Sequence, residues 1–224
     1  MCTYSDGFSL NFRSRCDVST QTVTTSWIPA PWTERSTGGS AQNWRSITSS
    51  SDGTKLAAVA SFGNIWTSTD SGATWTERSP DGGTKNWQSI ASSTDGTKLG
   101  ACDSGGIIWV STDSGVSWSG PANRDYNNWY GITSSSDGTK LAAVVSGGNI
   151  WTSANSGATW TEDTIVGSPK DWVGITSSSD GTKLAATVFG GNIWTFEAPS
   201  PCTCCQEKMI KMGLNIGGEC TVQT

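Results

Sequence analysis

The sequence predicts an all-β fold: a β-propeller of four-stranded antiparallel blades, four in number, with the ring closed by an N-terminal D strand. Three observations predict it. Twelve of the thirteen tryptophans fall on one repeat of 42 to 43 residues, and a period of that length marks one small unit copied several times. Short runs rich in Thr, Val, Ile and Trp alternate with Gly, Asp and Ser inside each copy, which is strand-and-turn chemistry. No stretch within the repeats carries apolar residues at helical spacing. The tryptophans form three columns: Trp32, Trp75, Trp118, Trp160; Trp44, Trp87, Trp129, Trp172; and Trp66, Trp109, Trp151, Trp194.

The first full repeat supplies four strands. Strand A is Trp44–Ser49, strand B Lys55–Ala60, strand C Asn64–Ser68 and strand D Ala73–Arg78. Asp52-Gly53 lies between A and B and recurs as Asp95-Gly96, Asp137-Gly138 and Asp180-Gly181. Asp-Gly favours the positive backbone angles of a tight hairpin. The B-to-C turns are built on Gly63, Gly105-Gly106, Gly147-Gly148 and Gly190-Gly191. Four meandering strands in about 43 residues make one blade.

The C-to-D turn carries a resemblance. Ser68-Thr69-Asp70-Ser71-Gly72-Ala73-Thr74-Trp75 resembles the Asp-box, or BNR repeat, of pattern Ser/Thr-x-Asp-x-Gly-x-Thr/Ser-Trp. Ser111–Trp118, with Asp113, Gly115 and Trp118, matches it in full; Ser153–Trp160 carries Asn155 for the aspartate beside Gly157 and Trp160. The resemblance covers residues 22–198. It implies a propeller like those of sialidases, sortilin-type receptors and the photosystem II assembly propeller. The boxes read as hairpin-holding structure: a turn carboxylate accepts backbone N–H groups, glycine relieves the turn, and tryptophan buries apolar area. A calcium loop is excluded, because no repeat supplies the carboxylate cluster and bidentate Glu it needs.

Closure follows from what the last repeat lacks. After Ile193-Trp194-Thr195 no strand D follows, whereas Trp32-Thr33-Glu34-Arg35-Ser36 duplicates Trp75-Thr76-Glu77-Arg78-Ser79 one period earlier. An N-terminal strand D completing the last blade closes a four-bladed ring and removes free edges. Two chains sharing an eight-bladed ring and an open stack are the alternatives. The chain thus divides into a Cys-containing N-terminal segment 1–21, repeats 22–198, and a Cys-rich tail 199–224.

Composition narrows the partners. The net charge of −5 and a pI near 4.6, with no basic run, argue against nucleic acid and anionic membranes. Lys55, Lys98, Lys140 and Lys183 recur in the A–B turn and read as solvated turn residues. No apolar run reaches the ~18–20 residues of a membrane span. Met1–Ser19 has no secretory apolar core, so an extracellular or virion-surface location requires a removed signal, excision from a longer product, or non-standard export. Cys102 takes a strand-B position held elsewhere by Val59 and Val144, and reads as a buried small hydrophobe. Cys2, Cys16, Cys202, Cys204, Cys205 and Cys220 lie outside the repeats and suggest disulfides. Their spacing is not that of a zinc site, and there is no histidine; no metal and no cofactor is expected. No Asn-x-Ser/Thr sequon is present.

The absence of histidine removes His-based triads and imidazole bases. The sialidase resemblance implies an arginine triad, a Tyr–Glu pair and an acid Asp. Phe12-Arg13-Ser14-Arg15 matches only the Phe-Arg of that family's arginine motif, Arg35 and Arg78 are repeat copies, and only Arg45 and Arg124 are unique within the repeats. The expectation is therefore a non-enzymatic module that binds glycan or protein. Variation between repeats concentrates in the D-to-A links, which share one propeller face with the B–C turns, and recognition resides in such loops. The binding candidates are Arg45, Arg124, Asp125, Tyr126 and Tyr130, with Asp81 and Asp171 as added acceptors. The tryptophan columns read as packing between blades. A third reading is a coat, fibre or virion subunit that self-assembles through its Cys-bearing ends.

Overall fold

Alternation of short β-formers with Gly and Asp turns produces fourteen strands among the described residues, which are 32–37, 41–122, 126–164, 167 and 169–198 of a computed structural model. The chain divides into two units, Met1–Glu34 and Arg35–Thr224, and every strand belongs to the second. Repeat 1 holds β1 (Trp44–Ser49), β2 (Leu56–Gly63), β3 (Ile65–Ser68) and β4 (Thr76–Arg78). Repeat 2 holds β5 (Lys85–Ser92), β6 (Leu99–Gly106) and β7 (Ile108–Ser111), with a Val110–Ser119 bridge where its strand D would lie. Repeat 3 holds β8 (Asn127–Ser134), β9 (Leu141–Gly148), β10 (Ile150–Ser153) and β11 (Thr161–Asp163). Repeat 4 holds β12 (Lys170–Ser177), β13 (Lys183–Val188) and β14 (Ile193–Glu197).

All pairings are antiparallel, and each repeat is a meander. Strand B outruns its predicted end because its last residues pair with the start of the next repeat's strand A: Ser61 with Asn86, Ser104 with Asn128, and Ser146 with Asp171. Strand D begins later than predicted. The Thr74 amide donates to Asp70 Oδ1 at 2.8 Å and the Ala73 amide to the Asp70 carbonyl, so residues 73–75 belong to the turn.

The sheet path runs from β14 to β4, and the sheet is not closed. Trp32–Thr37 form no strand, and Trp32 is fully exposed. The closed ring expected from the sequence is therefore not what these strands form. Repeat 4 ends on β14, whose Ile193, Trp194 and Phe196 are exposed.

No repeat owns a core. One cluster joins Ala57, Val59 and Ile65 of repeat 1 to Trp87, Ile90 and Leu99 of repeat 2. A second joins Cys102, Ile108 and Val110 to Trp129, Ile132 and Trp160; a third joins Val144 and Ile150 to Trp172 and Ala186. A flat, four-stranded unit has too little interior of its own and buries apolar area only against a neighbour.

Candidate functional site

The two ends of the strands differ in chemistry. At one end lie the A–B and C–D turns. Asp52 Oδ1 accepts from Ser50 Oγ at 2.5 Å and from the Thr54 amide at 3.0 Å, and the same pattern recurs at Asp95, Asp137 and Asp180. In the C–D turns Asp70 and Asp113 each accept the amide and hydroxyl four residues on, Thr74 and Ser117. Asn155 accepts the Thr159 amide with Oδ1 and donates its Nδ2 to the Thr159 hydroxyl, so an amide replaces the carboxylate without loss of the turn.

These bonds hold the carboxylates ionised. The Ser50 hydroxyl, then the Thr54 amide, lowers Asp52 to about 2. Asp70, through Thr74 first, Asp95, through Ser93 first, and Asp113, through Ser117 first, also fall to about 2. Asp137 and Asp180 are lowered further, chiefly by Ser135 and Ser178. Every one of these acceptors is engaged by its own turn.

The turns are also tied from repeat to repeat. The Ser51 amide donates to the Thr94 carbonyl, Thr94 to Ser136, and Ser136 to Ser179, at 2.7–2.8 Å. Lys55 Nζ donates to the Asp95 carbonyl at 3.0 Å and Lys140 Nζ to Asp180 at 2.7 Å; Lys98 reaches Ser156 Oγ at 3.3 Å. Three of the four lysines expected to be solvated thus bridge repeats, their alkyl stems lying over Gly96, Gly138 and Gly181, where a Cβ would come within 3 Å.

The other end carries the D–A links and B–C turns, and it varies. Strand A of each repeat bears a β-bulge directly after its tryptophan. The extra residue is Arg45, Gln88, Tyr130 or Val173, four chemistries at one equivalent place. A bulge removes a residue from the ladder and re-aims its side chain. The four strands A are neighbours: the Ile90 amide lies 3.3 Å from Ser46 Oγ, the Ile132 amide 3.4 Å from Ser89 Oγ, and Ser177 Oγ donates to the Ser134 carbonyl at 3.0 Å. The bulged residues therefore form a row with one member per repeat. Arg45 and Tyr130, picked out in the sequence, are two of its members; Gln88 and Val173 are two that were missed, and the repeat alignment was the signal for them.

Exposed aromatics collect at the same end. Phe62 is 74% exposed and holds φ of 55°, in a B–C turn position that Gly105, Gly147 and Gly190 fill at φ of 81°, 72° and 65°. A bulky side chain in the left-handed region is strained and uncommon. Phe189 is exposed one position earlier in its turn, its amide bonded to the Asp171 carbonyl at 2.8 Å. Tyr126 and Tyr130 are exposed as well. Arg124 and Asp125 lie outside the described residues, as do Cys2, Cys16, Cys202, Cys204, Cys205 and Cys220. Cys102 is fully buried, and desolvation pushes its thiol up to about 12, which leaves no thiolate for chemistry.

One buried carboxylate stands at this end too. Asp103 is 9% exposed, opposite Trp87 in the ladder, at a position that Ala60, Val145 and Val188 take in the other repeats. Burial raises its carboxyl, and the Lys85 charge and Asn86 amide oppose that rise. Lys85 pairs with Asp81 at 2.6 Å and lies 5.2 Å from the Trp109 ring centre. Arg35 and Arg45 line an open groove of about 400 Å³ with Trp44, Ile47 and Trp75. Arg78 is turned away, its Nε donating to Thr67 Oγ1 at 3.1 Å. Among the described residues no cluster of three or more Cys, Asp or Glu is placed to hold a metal ion.

The chain matches no protein-family model and no curated protein sequence. Its structure is similar to a GH74 enzyme from Niastella koreensis at 23% identity and a TM-score of 0.55, over 69% of this chain and 23% of that one. YCF48 from Cyanidioschyzon merolae aligns at 18% identity and a TM-score of 0.54, over 71% and 54%. The β-propeller domain of Cps50 (Swd1) from Myceliophteria thermophila aligns at 15% identity and 0.56, over 72% and 57%. The fold is a β-propeller. Each repeat is an antiparallel meander, the unit from which propeller blades are built. This chain spans less than two thirds of the length of each of these neighbours, and at such identities the likeness shows the fold alone.

Proposed function

We propose that this protein is a non-enzymatic recognition module, built on four Asp-box blades, that binds a protein ligand at the loop end of its strands. The single observation that carries the reading is Phe62. Three of four blades place glycine at this left-handed position, and the fourth places a solvent-facing aromatic there. Strain of this kind, of order 1–3 kcal/mol, persists where something else selects it. The bulge row adds four dissimilar side chains at one level, which suits an extended segment read one contact per blade. Exposed aromatics and an arginine are the residue types that dominate protein-binding energetics. YCF48, a structural neighbour, has been solved bound to D1 peptide. The two arginines of the groove at Arg45 have no third arginine beside them among its lining residues, which favours binding over sialidase-type hydrolysis. The location we propose is extracellular or at a cell or virion surface, with the cysteines outside the repeats paired as disulfides.

A glycan ligand is the second reading, favoured by the exposed Tyr126 and Tyr130 rings. Peptides selected from a random display library and a glycan array, each probed with the same variants, separate the two. Tyr130→Ala and Phe62→Gly are expected to weaken selected binders roughly tenfold or more, while Lys55→Ala at the turn end leaves binding unchanged. Binders insensitive to both loop-end changes would place recognition elsewhere.

A further inference from the structure

The two end faces of the blade array are complementary, and each lacks what the other offers. Between blades, strand A of one blade packs its isoleucine on strand B of the blade before it: Ile132 Cδ1 lies over Gly100, where a Cβ would come within 3 Å. Ile90 and Ile132 are 4% and 5% exposed, whereas Ile47, with no repeat before it among the described residues, is 65% exposed. At the far end Ala185, the copy of buried Ala57 and Ala142, is left half-buried with no isoleucine to cover it. The turn ladder is open in the matching sense. It ends at Ser179, whose amide has no acceptor among the described residues, and begins at Ser51, whose carbonyl has no donor among them. Lys183 is the copy of the lysines that reach forward to the next turn, and it is left exposed, paired with Glu197 of its own blade at 3.1 Å.

A third deficit concerns the fourth blade alone. Among the described residues it has no strand D, and between β10–β11 and β13–β14 a largely apolar cleft of about 520 Å³ remains, lined by Ile150, Leu184, Ala186, Trp194 and Phe196 together with the polar residues of β11. In the preceding pair of blades the strand-D tryptophan, Trp160, is buried in the shared cluster. The unused copy of that tryptophan is Trp32. It stands twelve residues before Trp44, as Trp75 stands twelve before Trp87, so one continuous stretch carries both the missing strand D and the first strand A.

We infer that the last blade is completed by a second copy of this chain, docked head to tail. Trp32–Ser36 of that copy enters the cleft of blade four, and its β1 then packs Ile47 on β13. Its Ser51 carbonyl takes the Ser179 amide, as Ser136 takes Thr94, and its Asp52 carbonyl takes Lys183, as Asp180 takes Lys140. The contact reproduces the blade-to-blade interface already present three times within the chain. Such a heterologous contact closes into a ring of two copies if the rotation allows and otherwise extends.

Light scattering after size exclusion, in reductant so that the cysteines outside the repeats contribute no crosslinks, tests this. The expected mass is twice 23.5 kDa or a higher multiple. Ile47→Arg alters the head and Ala185→Arg the tail; each is expected to yield a monomer with an unchanged circular dichroism spectrum. Should Ala185→Arg unfold, Trp32→Ala, at a fully exposed site, serves instead and is expected to weaken association roughly tenfold or more. A wild-type monomer at all concentrations would overturn the inference and leave the faces to meet within one chain. A mass unchanged in Ile47→Arg and Trp32→Ala would equally overturn it. Neither result bears on ligand binding at Phe62 and Tyr130, which lie at the loop end.

Discussion

The two middle blades and the two end blades are built from nearly the same sequence, yet the same residue does different work in each. Trp87, Trp129 and Trp172, each with a repeat before it, are buried, while Trp44 is exposed. Leu99 and Leu141 are buried, while Leu56 and Leu184 are half-buried. Lys55 and Lys140, each with a repeat after it, bridge forward, while Lys183 pairs with Glu197 of its own sheet. Burial here is a property of having a neighbour on the side that a residue faces, as expected for quasi-one-dimensional repeats whose stability lies largely in their interfaces.

The sharpest way to break this comparison is to truncate equivalent tryptophans. Trp129→Ala is expected to cost about 3–5 kcal/mol, the usual loss for a buried aromatic, and Trp44→Ala under about 1 kcal/mol in the monomer. Urea unfolding measures both, and equal losses would mean that the end blade is packed like the middle ones.

Acid is the next test, and it reaches the turns of every repeat, through two carboxylates in each of the first two and one in each of the last two. The turn aspartates have folded pKa values depressed from the usual 3.8 to about 2 or below. Their contribution is full above pH 3.8 and is lost as pH falls through the folded values. The melting temperature is expected to hold above pH 4.5 and to fall steeply between about pH 4 and pH 2, in one transition. Two separated transitions would show that end and middle blades titrate as different units.

A smaller effect is expected at Asp103, where blade two departs from its neighbours. Its carboxyl is raised by burial, so the folded chain binds that proton more tightly than the unfolded chain does. Stability is therefore lost as pH rises from the usual aspartate range through the raised value. Asp103→Val, the residue at Val145, is expected to stabilise by roughly 1 kcal/mol at pH 7, with the gain shrinking in acid. A loss at pH 7 would show that Lys85 and the Asn86 amide fully compensate the burial.

The smallest expected change separates the two ends of the strands. Phe62→Gly is expected to raise stability by up to about 1 kcal/mol by relieving left-handed strain, while Gly105→Phe is expected to lower it. If Phe62→Gly destabilises the chain, the side chain packs within the fold and its exposure has another cause.

Much of this was legible in the sequence. The 42 to 43 residue period, the Asp-Gly hairpins and the tryptophan columns lead directly to four-stranded blades, because turn geometry and alternation are local. The turn carboxylates could be read too, since their partners lie two to four residues away. The bulge row, Phe62 and Asp103 were not legible, although each is a departure from the repeat. A departure shows that a position differs; only register shows that Arg45, Gln88, Tyr130 and Val173 are bulged out of the ladder, and only burial shows that Asp103 is inside. The lysines illustrate the converse: a charged turn residue reads as solvated until the neighbouring blade brings a carbonyl 40 residues away within 3 Å.

By itself, then, the sequence determined the unit: its strands, its turns and the two chemically different ends that they create. Those features depend on backbone propensity and contacts a few residues apart. The tertiary structure decided how the units stand against one another, which copies of each tryptophan and isoleucine are covered, and that the sheet remains open. A tryptophan or isoleucine that recurs in every repeat does not by itself encode which of its copies is covered. That is fixed only by where neighbours stop, and there the unspent donors, acceptors and apolar faces collect.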